Sequence, residues 1–234
     1  MIWSRKWTEM TTKPTTTKRN SPTAPMLIKT FVAGLATTNG FLVADQAGGQ
    51  AVIIDAPQGA TAGMLAQAQQ WNTPVKYLLN THAHWDHYWD NAEILHRTTA
   101  KFGIHAESAP LLKLPQTQMF GLDATIAPSQ PDFFLTEETP VMVGDLKFEV
   151  LHCPGHCPGS VALFERAQRV VWTGDVLFAG TIGRTDLPGG NFEQLLDSIR
   201  RQLLPIGDDV KVFAGHGPVT TIGQERRTNP FLTR

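Results

Sequence analysis

The sequence predicts a single α/β domain, and three observations carry that prediction. Of its 234 residues, 41% are hydrophobic and 18% charged, enough apolar surface for a packed core. Short runs rich in Val, Ile and Phe recur along the chain, split by turns containing Gly or Asn, and these read as strands. Between them lie stretches whose apolar residues repeat at helical spacing.

The first 25 residues stand apart. They hold seven Thr, three Pro, five bases and one acid, a net +4 against −5 for the remainder. Such a segment cannot bury enough surface to offset its ordering entropy. Residues 1–25 are therefore expected to be a disordered basic leader, and residues 26–234 the folded domain. The leader has no continuous apolar run, which argues against a secretory signal. Its acid-poor, hydroxyl-rich composition also fits an organelle transit peptide, and a start set upstream of Met26 is the plainer account.

From there the elements follow in order. Runs 27–32, 40–44 and 51–55 predict strands, separated by Asn39-Gly40 and Gly48-Gly49. Residues 61–71 predict a helix with Thr61 as its cap and Met64, Leu65, Ala68 and Trp71 on one face, stopped by Pro74. Residues 75–79 predict a buried strand that runs into a loop dense in His. Short helices are expected at 91–97 and 107–113. Runs 141–143 and 146–151 predict a hairpin turning at Gly144-Asp145. Strands follow at 161–164 and 170–172, then an amphipathic helix at 192–204 with Phe192, Leu195, Leu196, Ile199 and Leu203 in register. A last strand at 210–213 runs into Gly215-His216-Gly217.

Composition excludes several classes. No apolar run approaches the roughly 18 residues of a membrane span. Two Cys cannot make a disulfide scaffold or a four-Cys zinc module. A net charge of −1 argues against a nucleic-acid binder driven by bulk charge. A cytoplasmic enzyme with a small-molecule substrate is expected; the sequence leaves its oligomeric state open.

The chemistry is concentrated in one segment. Thr81-His82-Ala83-His84-Trp85-Asp86-His87 places four metal-capable side chains in six positions and takes three of the chain's eight His. Imidazole and carboxylate are borderline and hard donors suited to divalent cations. In extended chain His82 and His84 can point the same way, with Asp86 and His87 facing a neighbouring point, which suggests two adjacent metals. Two such sites need about six or seven ligands, so others must come from elsewhere. Three later turns offer them: His156 in Pro154-Gly155-His156, Asp175 in Thr173-Gly174-Asp175, and His216 in Gly215-His216-Gly217. Each follows a predicted strand and sits beside Gly, where functional groups carried on strand-end loops are expected.

The motif His82-x-His84-x-Asp86-His87, followed in order by His156, Asp175 and His216, resembles that of the metallo-β-lactamase superfamily across residues 27–232. The segments Phe178-Ala179-Gly180-Thr181-Ile182-Gly183-Arg184-Thr185-Asp186 and Gly223-Gln224-Glu225-Arg226-Arg227-Thr228-Asn229-Pro230-Phe231 resemble its single-domain, glyoxalase II-like hydrolases. The resemblance implies a four-layer αβ/βα sandwich, two mixed sheets with helices outside. It implies two divalent metal ions, zinc first, with iron or manganese as alternatives. His82, His84 and His156 would hold one ion, Asp86, His87 and His216 the other, and Asp175 would bridge them. The implied activity is hydrolysis of a thioester such as S-lactoylglutathione or a related acyl-thiol by a metal-bound hydroxide, with Asp86 also passing a proton. The alternative within the superfamily is a mononuclear iron persulfide dioxygenase, using His82, His156 and Asp175. The chain ends 18 residues after His216, which leaves out the helical glutathione-binding domain of the two-domain thioesterases and weakens an expectation of glutathione specificity.

Other residues carry two readings. Tyr88, with Trp89, is either local packing or an aromatic wall of the substrate cleft. Arg184 either binds an anionic substrate group or pairs with Asp186. Cys153 and Cys157 flank His156 and read as reduced thiols, with oxidation sensitivity as the rival. His96, His105 and His152 read as ordinary surface or core His.

Overall fold

The computed structural model describes residues 25–114 and 116–233, so the leader expected at 1–25 lies almost entirely outside the described residues. The first sheet runs in spatial order β1 (Leu27–Ala33), β2 (Thr38–Ala44), β3 (Ala51–Ile54), β4 (Val75–Leu79), β5 (Lys101–His105) and β6 (Phe133–Leu135). Its first three strands are antiparallel, and β3 to β6 are parallel. Along the chain, α1 (Thr61–Gln70), α2 (Trp85–Tyr88), α3 (Asn91–Arg97) and α4 (Gln116–Met119) belong to this half. The second sheet contains β7 (Val141–Val143), β8 (Leu146–His152), β9 (Val161–Glu165), β10 (Val170–Gly174), β13 (Lys211–Ala214) and β14 (Thr220–Thr221). A small hairpin, β11 (Leu177–Phe178) with β12 (Thr181–Ile182), precedes α5 (Phe192–Ser198), and α6 (Ile222–Thr228) follows β14.

Side-chain alternation builds the layers. On β2, Phe41 and Val43 face the second sheet and join Phe148, Val150, Leu163 and Trp172 between the sheets. Leu42 and Ala44 face the other way and pack with Met64, Ala68 and Ile94 from the helices. The second sheet repeats the scheme: Phe164, Val171 and Val212 pack outward on Leu195, Ile199 and Ile222. The result is helix, sheet, sheet, helix, as expected. Both faces of each sheet are covered, so the central strands read as continuous apolar runs. Trp172 is fully buried and stacks on Phe213 at 5.8 Å. Truncating it to Ala would cost about 3–5 kcal/mol.

Several elements depart from the sequence expectation. β5 was not expected, because Gly103 and two basic residues interrupt its apolar pattern; the Phe133 ring lies where a Gly103 Cβ would be. β6, β11, β12 and β14 are two or three residues long, too short for a periodic signal. Residues 107–113 yield only a 3₁₀ turn at Ala109–Lys113, with Pro110 near its start. The helix expected at 192–204 is capped by Asn191, runs to Ser198, loosens into a π turn at Ile199–Leu203 and tightens at Leu204–Ile206 around Pro205. Thr61 does not cap α1 as expected. Its amide and hydroxyl both donate to Asp90 Oδ2, at 3.1 and 2.8 Å.

Strand directions place β8, β10 and β13 with their C-terminal ends on one edge of the second sheet. The segment after β4 meets that edge: the Val161 amide donates to Thr81 O at 2.9 Å. Asn39 on β2 ties the far side, its side chain donating to Ala214 O and Gly217 O at 2.9 Å each. No helix among the described residues is long and apolar enough to cross a membrane.

Candidate metal centre

The segment after β4 is organised by a residue that the sequence reading missed. Asp55 follows β3 in the left-handed backbone region, φ 57°. That turn aims its buried carboxylate at the next loop, where it accepts from the Thr81 amide and hydroxyl at 2.8 Å each and from His87 Nδ1 at 2.9 Å. Asn80 donates to His87 O at 3.0 Å. His84 is still extended, and Trp85 begins the single helical turn α2. His82 and His84 therefore project before the turn, and Asp86 and His87 from within it. The signal for Asp55 was one acidic residue closing an otherwise apolar strand.

The remaining groups arrive from the second sheet. His156 lies beyond β8, Asp175 just beyond β10, and His216 beyond β13. Gly174 has φ 49°, and a Cβ there would collide with the Thr81 hydroxyl. A Cβ on Gly215 would strike Asp175 and the His87 ring. These two glycines let the sheet edges close on each other.

All seven side chains converge. The ligand atoms of His82, His84 and His156 lie within 4.8 Å of one another, as do those of Asp86, His87 and His216. Asp175 stands between the groups: Oδ2 is 3.6 Å from His156 Nε2 and 3.5 Å from His216 Nε2, and Oδ1 is 3.3 Å from His87 Nε2. Asp86 Oδ2 is 3.3 Å from both His87 Nε2 and His216 Nε2 and accepts from the Thr38 hydroxyl at 2.6 Å.

This donor set fits two cations. Three buried atoms facing the centre, His82 Nε2, His87 Nε2 and Asp175 Oδ1, have no hydrogen-bond partner. Buried polar atoms are rarely left so without a role. The far nitrogens are already committed. His87 Nδ1 donates to Asp55, and His156 Nδ1 donates to Arg184 O at 2.7 Å. The Thr81 hydroxyl gives its proton to Asp55, so it accepts from His82 Nδ1 at 3.1 Å. Each of these rings thus turns its Nε2 inward, the arrangement that outer partners impose on metal-binding imidazoles. His84 presents Nδ1, 2.7 Å from His156 Nε2.

Electrostatics divides the centre. Burial, helped by neighbouring imidazoles, pushes His82 well below its usual value, lowers His156, and brings His84 down to about 3. Burial also acts to lower His87 and His216, but there the carboxylates win: Asp86, Asp175 and Asp55 lift His87 well above its usual value, and Asp175 with Asp86 lifts His216 to about 9. Against the burial penalty, His87 and hydrogen bonds from His216 and Thr38 hold Asp86 at about 2. Asp175 is held well below the usual carboxylate range in the same way.

The centre opens to a cleft of about 150 Å³ whose walls include Ala36, Trp85, Phe120, Arg184 and Leu187. Arg184 is at the cleft, but Asp186 grips its guanidinium with two 2.7 Å bonds. Tyr88 does not line the cleft. It is buried in the helix-side core and faces a separate cavity, because the α2 turn carries it away from the His82–His156 side. Cys153 and Cys157 are free and fully buried, and burial pushes both thiols up, which opposes a reactive-thiol role. His105, Glu107 and His152 form a further cluster. The two rings stack at 4.2 Å, so their in-plane lone pairs do not meet at one point, and His152 Nε2 donates to Pro158 O.

Known proteins share this fold. A family model described as the metallo-beta-lactamase superfamily matches residues 33–216. The hydroxyacylglutathione hydrolase GloC of Haemophilus influenzae is 42% identical over 186 residues, covering 78% of this chain and 87% of that protein. The crystal structure of the BLEG-1 B3 metallo-beta-lactamase superposes with a TM-score of 0.82 at 35% identity, covering 89% of this chain and all of that one. The structure of TTHA1623 in a di-iron-bound form gives 0.78 at 35% identity, with 87% of this chain and 100% of that chain covered.

Proposed function

The chain belongs to the metallo-beta-lactamase superfamily, and from that premise we propose that it is a two-metal hydrolase acting on an acyl-thiol. The observation that carries this reading is the pair of complete donor groups sharing Asp175. His82, His84 and His156 would hold one ion, Asp86, His87 and His216 the other, with Asp175 common to both. Five imidazoles and two carboxylates with no thiolate suit zinc first, with iron or manganese as alternatives; the di-iron form of TTHA1623 supports iron as the second choice. The kinship with a hydroxyacylglutathione hydrolase supports the thioester as substrate. Buried, unpaired thiols fit a reducing compartment such as the cytoplasm.

When bound, the two cations would acidify a water and polarise the substrate carbonyl. The protein's own residues supply orientation and proton handling. Asp55, Thr81 and the Arg184 carbonyl fix the His87, His82 and His156 rings, so the donor geometry exists before substrate arrives. Thr38 pins one oxygen of Asp86. Hydrolysis places the water oxygen on the acyl carbon while sulfur leaves with the bonding pair. In this reading Asp86 would carry the proton from the water to the departing thiolate. Trp85, Phe120 and Leu187 wall the cleft.

The test is metal analysis with hydrolysis of a thioester panel by wild type, His84→Ala and His216→Ala. About two ions per chain and loss of turnover in both variants are expected. One iron per chain, with oxygen uptake on glutathione persulfide, would replace this reading with the single-iron alternative. Undiminished hydrolysis in His84→Ala would refute the metal mechanism altogether.

A further inference from the structure

The cleft does not end at the metal-binding side chains. Beside it opens a smaller groove of about 70 Å³, and His84, Phe120 and Leu187 line both spaces. The groove walls are apolar: Leu111, Leu114, Met119, Phe120, Leu187 and Pro188. Three of these are large side chains left in water, Leu114 at 49%, Met119 at 60% and Phe120 at 38% exposure. Apolar side chains gathered at the mouth of a reactive centre, rather than scattered, mark a surface that something covers.

The polar inventory of the groove is also informative. Besides His84, the polar side chain lining it among the described residues is Gln116, whose two amide hydrogens are both taken. Its amide nitrogen donates to Ala83 O at 2.7 Å and Leu111 O at 2.9 Å, and its oxygen accepts from the Trp85 amide at 3.2 Å. A substrate hydroxyl lying against Leu114, Met119 and Pro188 would meet only apolar side chains and would lose its water contacts. Charge is equally scarce. Apart from the histidines of the centre, Arg184 is the cation lining either space among the described residues, and Asp186 already neutralises it.

We propose that the acyl side of the substrate is a plain apolar chain seated in the Leu111–Leu114–Met119–Phe120 groove, not a polar hydroxyacyl group. This rests on the acyl-thiol reading above and names its substrate class. The carbonyl sits beside His84, and the chain runs over Phe120 and Leu187, which belong to both spaces, toward Leu114 and Met119. Selectivity then follows buried methylenes, each worth roughly fourfold in kcat/KM when fully covered. A hydroxyl along the chain adds nothing, because the walls beyond His84 and Gln116 are apolar side chains.

The test holds the thiol constant and varies the acyl group. N-acetylcysteamine thioesters of acetate, butyrate, hexanoate and lactate are hydrolysed by the zinc-loaded protein and by a Leu114→Ser/Met119→Ser double variant. In wild type kcat/KM is expected to rise at least about tenfold from acetyl to hexanoyl, with lactoyl no better than butyryl. In the double variant, whose altered side chains are exposed, the hexanoyl-to-acetyl ratio is expected to fall to within about threefold. A flat or falling profile in wild type, lactoyl as best substrate, or an unchanged ratio in the variant would overturn the proposal. A second arm measures binding of non-hydrolysable ketones in which CH2 replaces sulfur. Affinity that climbs with chain length in wild type alone, with no thioester cleaved, would sink the thioesterase reading and keep the groove. Affinity indifferent to chain length would sink the groove whatever the turnover.

Discussion

On one side of Asp175 stand three imidazoles, His82, His84 and His156, all pressed toward the neutral form by burial and by one another. On the other stand Asp86, His87 and His216, where carboxylates raise both imidazoles, His216 to about 9. The two pockets use nearly the same donors and touch at a shared residue. Their proton inventories are opposite. The first would offer lone pairs at neutral pH, whereas a cation entering the second would have to expel protons. Residue type alone therefore does not set how a pocket loads; the number of carboxylates around the imidazoles does.

The severest way to break this contrast is to remove the group both pockets share. Asp175→Ala is expected to lower metal content well below two ions per chain and kcat/KM on the order of a thousandfold. Elemental analysis showing two retained ions would end the shared-ligand assignment. Next in size is Asp55→Ala, which leaves every donor atom in place but frees the His87 ring. A loss of about 10–100-fold in affinity is expected on the Asp86–His87–His216 side, read by chelator competition. An unchanged affinity would mean that α2 alone orients His87.

A pH series sharpens the comparison further. His216 is raised to about 9 and so is protonated at pH 7 when no cation is bound, and the same carboxylates push His87 in the same direction. Affinity of this pocket should weaken as pH falls below about 9, by about tenfold per unit for each proton displaced. His84 stays neutral down to about 3, so the three-imidazole pocket should vary little between about pH 5 and 8. Calorimetry in buffers of different ionisation enthalpy counts the protons released; equal release from both pockets would erase the distinction. The smallest expected effect concerns the loop that carries His156. Thiol reagent should modify neither cysteine in the folded chain and both after denaturation, and Cys157→Thr should leave peroxide sensitivity unchanged. Rapid labelling of the native chain would mean that this loop opens.

What could be read in advance divides along a physical line. His82, His84, Asp86 and His87 lie in one segment, and His156, Asp175 and His216 each follow an apolar run beside Gly, so all seven were nameable from sequence. Strands covered on both faces, such as β2, β3 and β10, announced themselves as continuous apolar runs. Residues defined by a partner far along the chain were not legible. Asp55 acquires its role from Thr81 and His87, and Asp90 replaces the cap expected of Thr61. Tyr88 follows His87 directly in sequence, yet one helical turn sends it into the opposite cavity. Adjacency along the chain is a poor guide to direction once a helix begins.

The junction at Thr81 O and the Val161 amide, with Asn39 holding the His216 loop, joins two halves of the chain that are far apart in sequence. The seven donors run from His82 to His216, so no partly folded intermediate that lacks either sheet can assemble both pockets. On the two-metal reading, binding of both cations would then require the finished structure, and occupancy would act as a thermodynamic clamp across the seam. Free metal at about a hundred times its dissociation constant would add about 2.7 kcal/mol per site to resistance against unfolding. The melting temperature of this protein should accordingly report the metal supply around it.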